Sequence, residues 1–197
     1  MANLKETAEL AYRQLFPNPG DETALDKEDF VSTAKTEYAY QMLLMAWKSK
    51  ATEGEFIVPS YISREVEKDI VNDEMDISDL DILKSLPSEM WLQNIGGLNC
   101  GCKYVKTTIN LSQLLCDDNS LSDDTKTYYV IGKKIKFPKG THSKKLPIIY
   151  ANNGSDLDAD EIVIDDAMAG IVRTRLIEIY GGKTGVEDKT NNSNPNG

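Results

Sequence analysis

At 197 residues with 40% hydrophobic side chains, the chain is long enough to bury one core of ordinary size. Its 22 lysines and arginines face 32 aspartates and glutamates, a formal net charge of −10, which argues against a nucleic-acid-binding surface but suits the wall of a channel that DNA passes without sticking. No run of about 18 apolar residues is present, and Met1 to Phe16 reads as an amphipathic helix with Glu6 and Glu9, so a membrane span and a signal peptide are both unexpected and synthesis in the cytosol is expected.

Leu4, Ala8, Ala11 and Leu15 recur at helical spacing, widened by Tyr12 and Phe16, until Pro17-Asn18-Pro19-Gly20 stops the helix. A second helix is predicted from Asp26 to Asp29 through to about Thr52, ending at Gly54. Phe30, Ala34 and Tyr38 share one side of its first half, whereas in YAYQMLLMAW, from Tyr38 to Trp47, Gln41 is the only polar residue. A helix apolar all round must be covered all round. The cover comes either from within the fold or from a neighbouring subunit, and Tyr40, Leu43 and Trp47 are the interface candidates on this helix.

Phe56 to Val58 is strand-like. Tyr61 to Asn72 fits both a helix and a strand, but Pro59 and the β-branched pair Ile70-Val71 favour extended backbone. Ser78 is predicted to cap a short helix carrying Leu80, Ile82, Leu83 and Leu86 as far as Pro87; Met90 to Ile95 and Tyr104 to Leu111 read as strands, and Cys116 to Asp124 as a polar loop. Cys100, Cys102 and Cys116 are odd in number and lack the C-x-x-C spacing common in zinc sites, so free thiols are expected and no metal or cofactor is.

The most patterned stretch runs from Lys126 to Gly182. Tyr129, Ile131, Lys133, Ile135 and Phe137 share one parity, and Gly132 with Lys133 and Lys134 supplies a tight reversal, predicting a hairpin to which Leu146 to Tyr150 adds a third strand. After the acidic loop Ser155 to Glu161, Asp165 sits at an N-cap, Asp166 puts negative charge in the first turn, and Gly181-Gly182 ends the helix. The remaining KTGVEDKTNNSNPNG has Val186 as its single apolar residue and no core of its own; it is expected to be an extended arm held by a partner surface.

Motifs for chemistry fail on inspection. Asp156, Asp158 and Asp160 begin like a calcium loop, but Glu161 stands where glycine is needed and Ala167 where a bidentate Glu belongs. Gly182-Lys183-Thr184 imitates the end of a P-loop, yet it follows a helix instead of opening one. The single histidine, His142, lies in a basic loop with no partner indicated, so neither catalytic nor cofactor-binding residues are expected.

Two features point to interfaces instead. On a helical wheel Met168, Ile171, Val172, Leu176 and Ile179 form a stripe with Arg175 near its centre, where a guanidinium needs either an internal carboxylate or a neighbouring subunit. Lys133, Lys134 and Lys136, followed by Lys139, Lys144 and Lys145, make a basic patch that either guards an edge strand or docks on an acidic neighbour.

The segments SLPSEMWLQNIGG, TYYVIGKKIKFP, KLPIIYANNG and DDAMAGIVRTRLIEIYGG, in that order over about residues 85–182, resemble phage head-to-tail connector proteins, in wording nearest the portal-proximal ring proteins of crAss-like phages. The insert Leu98 to Asp124 has no counterpart in that pattern. The resemblance implies a virion structural protein of the neck, made in the host cytoplasm: one subunit of a closed ring, commonly of twelve copies, contacting the portal protein and the next tail or ring protein while DNA passes through. Its expected form is an α+β domain over residues 1–182, with N-terminal helices, a long central helix, a small mostly antiparallel sheet including a hairpin and a closing helix. Residues 183–197, with Thr184 and Val186, form the extended C-terminal arm. The rival roles are an auxiliary or head-decorating capsid protein and a small metal-dependent enzyme.

Overall fold

The computed structural model describes residues 2–17, 26–53, 58–83, 85–96, 103–108, 111, 125–138 and 145–181. The expected arm with Thr184 and Val186, the loop with His142 and the three cysteines lie outside them. The fold is α+β, and the chain divides into two compact units, Met1–Tyr38 with Asp156–Gly197, and Ala39–Ser155.

In the first unit β1 (Ala2–Asn3) leads into α1 (Leu4–Leu15), whose first turn is closed by a capping box: the Glu6 N–H donates to Asn3 Oδ1 at 2.7 Å and the Asn3 N–H to Glu6 Oε2 at 3.1 Å. Two further helix-start donors find carbonyls in the acidic loop, Leu4 N–H on Ile162 and Lys5 N–H on Ala159. That loop leads into β9 (Val163–Ile164), which pairs antiparallel with β1, and then into α4 (Asp166–Gly181). Asp165 caps α4 as its position in the sequence predicts, accepting the Met168 N–H at 2.7 Å. Small Ala8 and Ala11 let α1 pack closely on α4. Phe30, from α2 (Lys27–Glu53), meets Tyr12 edge-on at 5.2 Å and stacks on Tyr180 at 4.1 Å. Each fully buried Leu or Phe here stabilises the unit by about 1.5–3 kcal/mol relative to exposure.

The second unit takes Ala39–Glu53 of α2 and two sheets. Ala39, Leu43 and Ala46 form the buried face of this part of the helix, while Tyr40 and Trp47 are half-buried and Met45 is exposed. Cover over Leu43 is therefore complete within the chain itself. One sheet has the order β2-β8-β4, from β2 (Ser63–Asp69), β8 (Lys145–Ala151) and β4 (Leu92–Ile95), all antiparallel. Arg64, Val66 and Lys68 lie opposite Tyr150, Ile148 and Leu146, so the alternation expected for Tyr61 to Asn72 is present and the aliphatic stems of the two cations lie over an apolar face. The other sheet has the order β3-β7-β6-β5, from β3 (Glu74–Asp76), β7 (Lys134–Lys136), β6 (Thr125–Ile131) and β5 (Lys103–Lys106), the last pair parallel. Asn72 and Asp73 make the turn between β2 and β3 with φ of 53° and 63°, the left-handed pair that matches strand twist.

Three expectations are corrected. The strand Leu146 to Tyr150 exists as β8, but it joins the sheet of β2 and β4 instead of extending the hairpin. Ser78 starts no helix: the Asp76 carboxylate accepts the Ser78 N–H at 2.8 Å, Ile77 N–H bonds Lys133 O in continuation of the sheet, and the helix comes later as α3 (Ser88–Trp91), which takes Met90 and Trp91 from the start of the expected strand and leaves Leu92–Ile95 as β4. Within the hairpin the inner face is Tyr128, Ile135 and Phe137, with Val130 opposite Ile135, while Ile131 is 44% exposed. Ile131 pairs with Lys134 across a two-residue turn, so opposed residues have numbers of opposite parity, and one parity cannot be carried through the reversal.

Candidate functional site

The β6–β7 hairpin and the segment following β3 border an open cleft among the described residues of the second unit. Gly132 and Lys133 form the turn, with Gly132 at φ 57°, where a side chain carries a cost. The Lys133 carbonyl accepts the Ile77 N–H at 3.0 Å and draws the segment after β3 against the turn. Between them, and closed on one side by α3, lies an open cleft of about 420 Å³ lined by Ile77, Ile82, Leu86, Trp91 and Val130, with Lys133 at the turn. Lys106 fixes α3 from β5 by donating to Ser88 Oγ at 2.7 Å and to the Glu89 carboxylate, and its hydrogen bond to Glu89 is the chief reason that carboxyl is held below its usual range.

The lysines expected as a patch separate into two kinds. Glu74 on β3 lies opposite Lys136, and its two carboxylate oxygens meet Lys134 and Lys136 at 2.5 Å each. Those hydrogen bonds, from Lys134 first and Lys136 second, depress the Glu74 carboxyl, and Glu74 in turn raises Lys136. Lys133 is exposed at the tip and makes no ion pair or side-chain hydrogen bond among the described residues. Glu74 thus offsets one of the two positive charges of Lys134 and Lys136, and the exposed Lys133 sits beside the cleft.

Arg175 is placed otherwise than the helical wheel predicts. The buried face of α4 is the single row Met168, Val172, Leu176 and Tyr180, leaving Ile171 exposed and the Arg175 side chain 47% exposed. Its guanidinium reaches Glu178 at 2.5 Å and Glu37 on α2 at 3.5 Å, and these partners, Glu178 foremost, raise its pKa. Sequence reasoning missed Glu37, a buried carboxylate, although it continues the row Phe30, Ala34 at helical spacing. It also missed Tyr180, whose hydroxyl lies 2.6 Å from Thr33 Oγ1 and donates to the Asp29 carbonyl at 3.2 Å. An aromatic at the end of an apolar row was the available signal.

The acidic loop spends its polar groups on structure. Asp158 Oδ1 accepts the Asp160 N–H, Asp160 pairs with Lys5 at 3.0 Å, and Leu157 and Ala159 are buried. Among the described residues no group of three His, Cys, Asp or Glu side chains is placed to hold a metal ion, and no helix is long and apolar enough to cross a membrane. Tyr40 and Trp47 present half-exposed rings on α2, with Lys50 Nζ lying 4.8 Å from the Trp47 ring centroid. No protein-family model matches the chain, and no curated protein matches it.

Proposed function

We propose that this protein is a virion structural protein without catalysis of its own, a subunit of a head-to-tail connector ring beneath the portal that extends the DNA channel and carries the next tail component. The observation that carries the proposal is that the four resembling segments fold as discrete elements in the same chain order, α3 with β4, the β6–β7 hairpin, β8, and the capped helix α4, with β5 and β9 between them. The acidic balance supports it, since a chain of net charge −10 repels DNA instead of holding it. A ring also needs two different faces per subunit, and the half-exposed rings of α2 and the Lys133 turn lie on different elements.

Electron microscopy of particles that incorporate an epitope-tagged chain, decorated with gold-labelled antibody, tests the proposal. Label at the single vertex where head meets tail is expected. Label spread over the shell favours the head-decorating role and ends the connector proposal. In the same particles, deleting Thr184–Gly197 is expected to leave the melting of the isolated subunit within about 2 °C while reducing its incorporation; full incorporation without the arm removes the arm from the assembly mechanism.

A further inference from the structure

We infer that the cleft beside Lys133 receives the C-terminal arm of a second copy of this chain, with Val186 on its apolar floor and Glu187 and Asp188 against Lys133. The inference rests on the connector proposal only for the presence of a neighbouring copy. Its grounds are complementarity of shape and charge. The cleft offers an apolar floor from Ile77, Ile82, Leu86, Trp91 and Val130 and one cation at its turn that no described carboxylate answers, although acidic residues outnumber basic ones in the chain. The arm offers the converse in the same order: Val186 is its one apolar residue, and two carboxylates follow it directly.

An open cleft of about 420 Å³ is roomy for one valine and its flanking backbone, and it is not closed over by its own walls. The two lysines of β7, Lys134 and Lys136, share the Glu74 carboxylate, whereas Lys133 at the turn has no described acid for an incoming carboxylate to displace. Val186 lies five residues beyond Gly181, a reach of roughly 17 Å when extended, so the end of α4 in one copy must come within about that distance of the cleft in the next. Glu187 and Asp188 also provide specificity, because an arm of the opposite charge would meet Lys133 repulsively.

The experiment is a charge exchange in the full chain, read by sedimentation velocity as a function of concentration, with far-UV circular dichroism verifying that each variant is folded. Lys133→Glu keeps Glu187 and Asp188 but repels them; the pair Glu187→Lys and Asp188→Lys keeps Lys133 but repels it. Each variant alone is expected to need about tenfold more protein to associate than the wild type. Mixed in equal amounts they are expected to return to within about threefold of the wild type, because each arm then finds a complementary cleft on the other chain. Val186→Asp is expected to weaken association about tenfold or more with no rescue by mixing. A mixture no better than its components overturns the inference, as does a wild-type chain that stays monomeric throughout, or a rescue confined to the triple variant, which would put the contact within one chain. Gold label at the neck with arm-independent association leaves the connector proposal standing and removes this one; association through the arm with label over the shell does the reverse.

Discussion

Replacing Arg175 by methionine asks whether that residue supports its own subunit or waits for another. Glu37 is 9% exposed and lies 3.5 Å from the guanidinium, while the Arg175 side chain is 47% exposed. With an effective dielectric of about 20, two unit charges at that separation attract by roughly 5 kcal/mol, an upper bound before desolvation and screening. Exposed pairs measure about 0–1 kcal/mol, and removing one partner of a buried pair costs about 3–5 kcal/mol. A buried acid with a half-exposed base falls between, so the coupling of Arg175 to Glu37 is expected to be about 1–2 kcal/mol. The assay is a double-mutant cycle of Arg175→Met and Glu37→Gln by urea denaturation, followed by circular dichroism at 222 nm because Trp47 and Trp91 both lie in the other unit. A parallel cycle with Glu178→Gln is expected to show about 0.5 kcal/mol or less, as for an exposed pair one helical turn apart. Coupling to Glu37 below about 0.3 kcal/mol would refute the internal role and return Arg175 to the candidates for a subunit contact.

Two further outcomes follow from single positions. Burial first, and Glu89 second, pushes the Tyr128 hydroxyl up to about 12 from an ordinary 10. Below pH 10 both states keep the proton; between pH 10 and 12 the unfolded chain loses it first, so stability falls as pH rises, by roughly 1.4 kcal/mol at pH 11. Tyr128→Phe is expected to lose less stability between pH 9 and 11 than the wild type by about that amount, and parallel declines would contradict the assignment. At Gly132 nothing lies within 4 Å of an added Cβ, so the cost of substitution is conformational alone. Gly132→Val is expected to destabilise by about 1–2 kcal/mol and Gly132→Asn by clearly less, because asparagine enters left-handed backbone more readily; equal losses on thermal denaturation would point to a clash instead.

Local chemistry was legible in the chain and pairing between distant segments was not. The Asp165 cap, the Gly132 turn, the boundaries of α2 and the alternation of β2 each depend on residues within a few positions of one another. The sheet to which β8 belongs depends on β2, which lies far upstream, Ser63 pairing with Ala151 and Asp69 with Lys145, and nothing in KLPIIYA says which edge it will meet. The hairpin faces were misassigned because side chains alternate along a strand while the register is reset by the length of the turn. Ser78 misled for a different reason: Asp76 offers its backbone N–H a nearer acceptor than a helix would, and an aspartate two residues upstream is as good a turn signal as a cap. The cleft itself was invisible, since Ile77 after β3, Trp91 in α3 and Val130 in β6 come from separate stretches with no common period.

The carbonyls of Ala159 and Ile162 that satisfy the first turn of α1 have a consequence for how the protein is made. The unit they close is discontinuous: its first part is Met1–Tyr38, its last begins at Asp156, and the whole of Ala39–Ser155 is synthesised between them. On the ribosome α1 emerges with its apolar row Leu4, Ala8, Ala11 unsheltered until α4 has been translated, whereas the second unit is a continuous stretch able to fold on emergence. Long-range closure is the slow step in such an arrangement, so the first unit is the last to become native. During translation it is also the one that needs protection from aggregation.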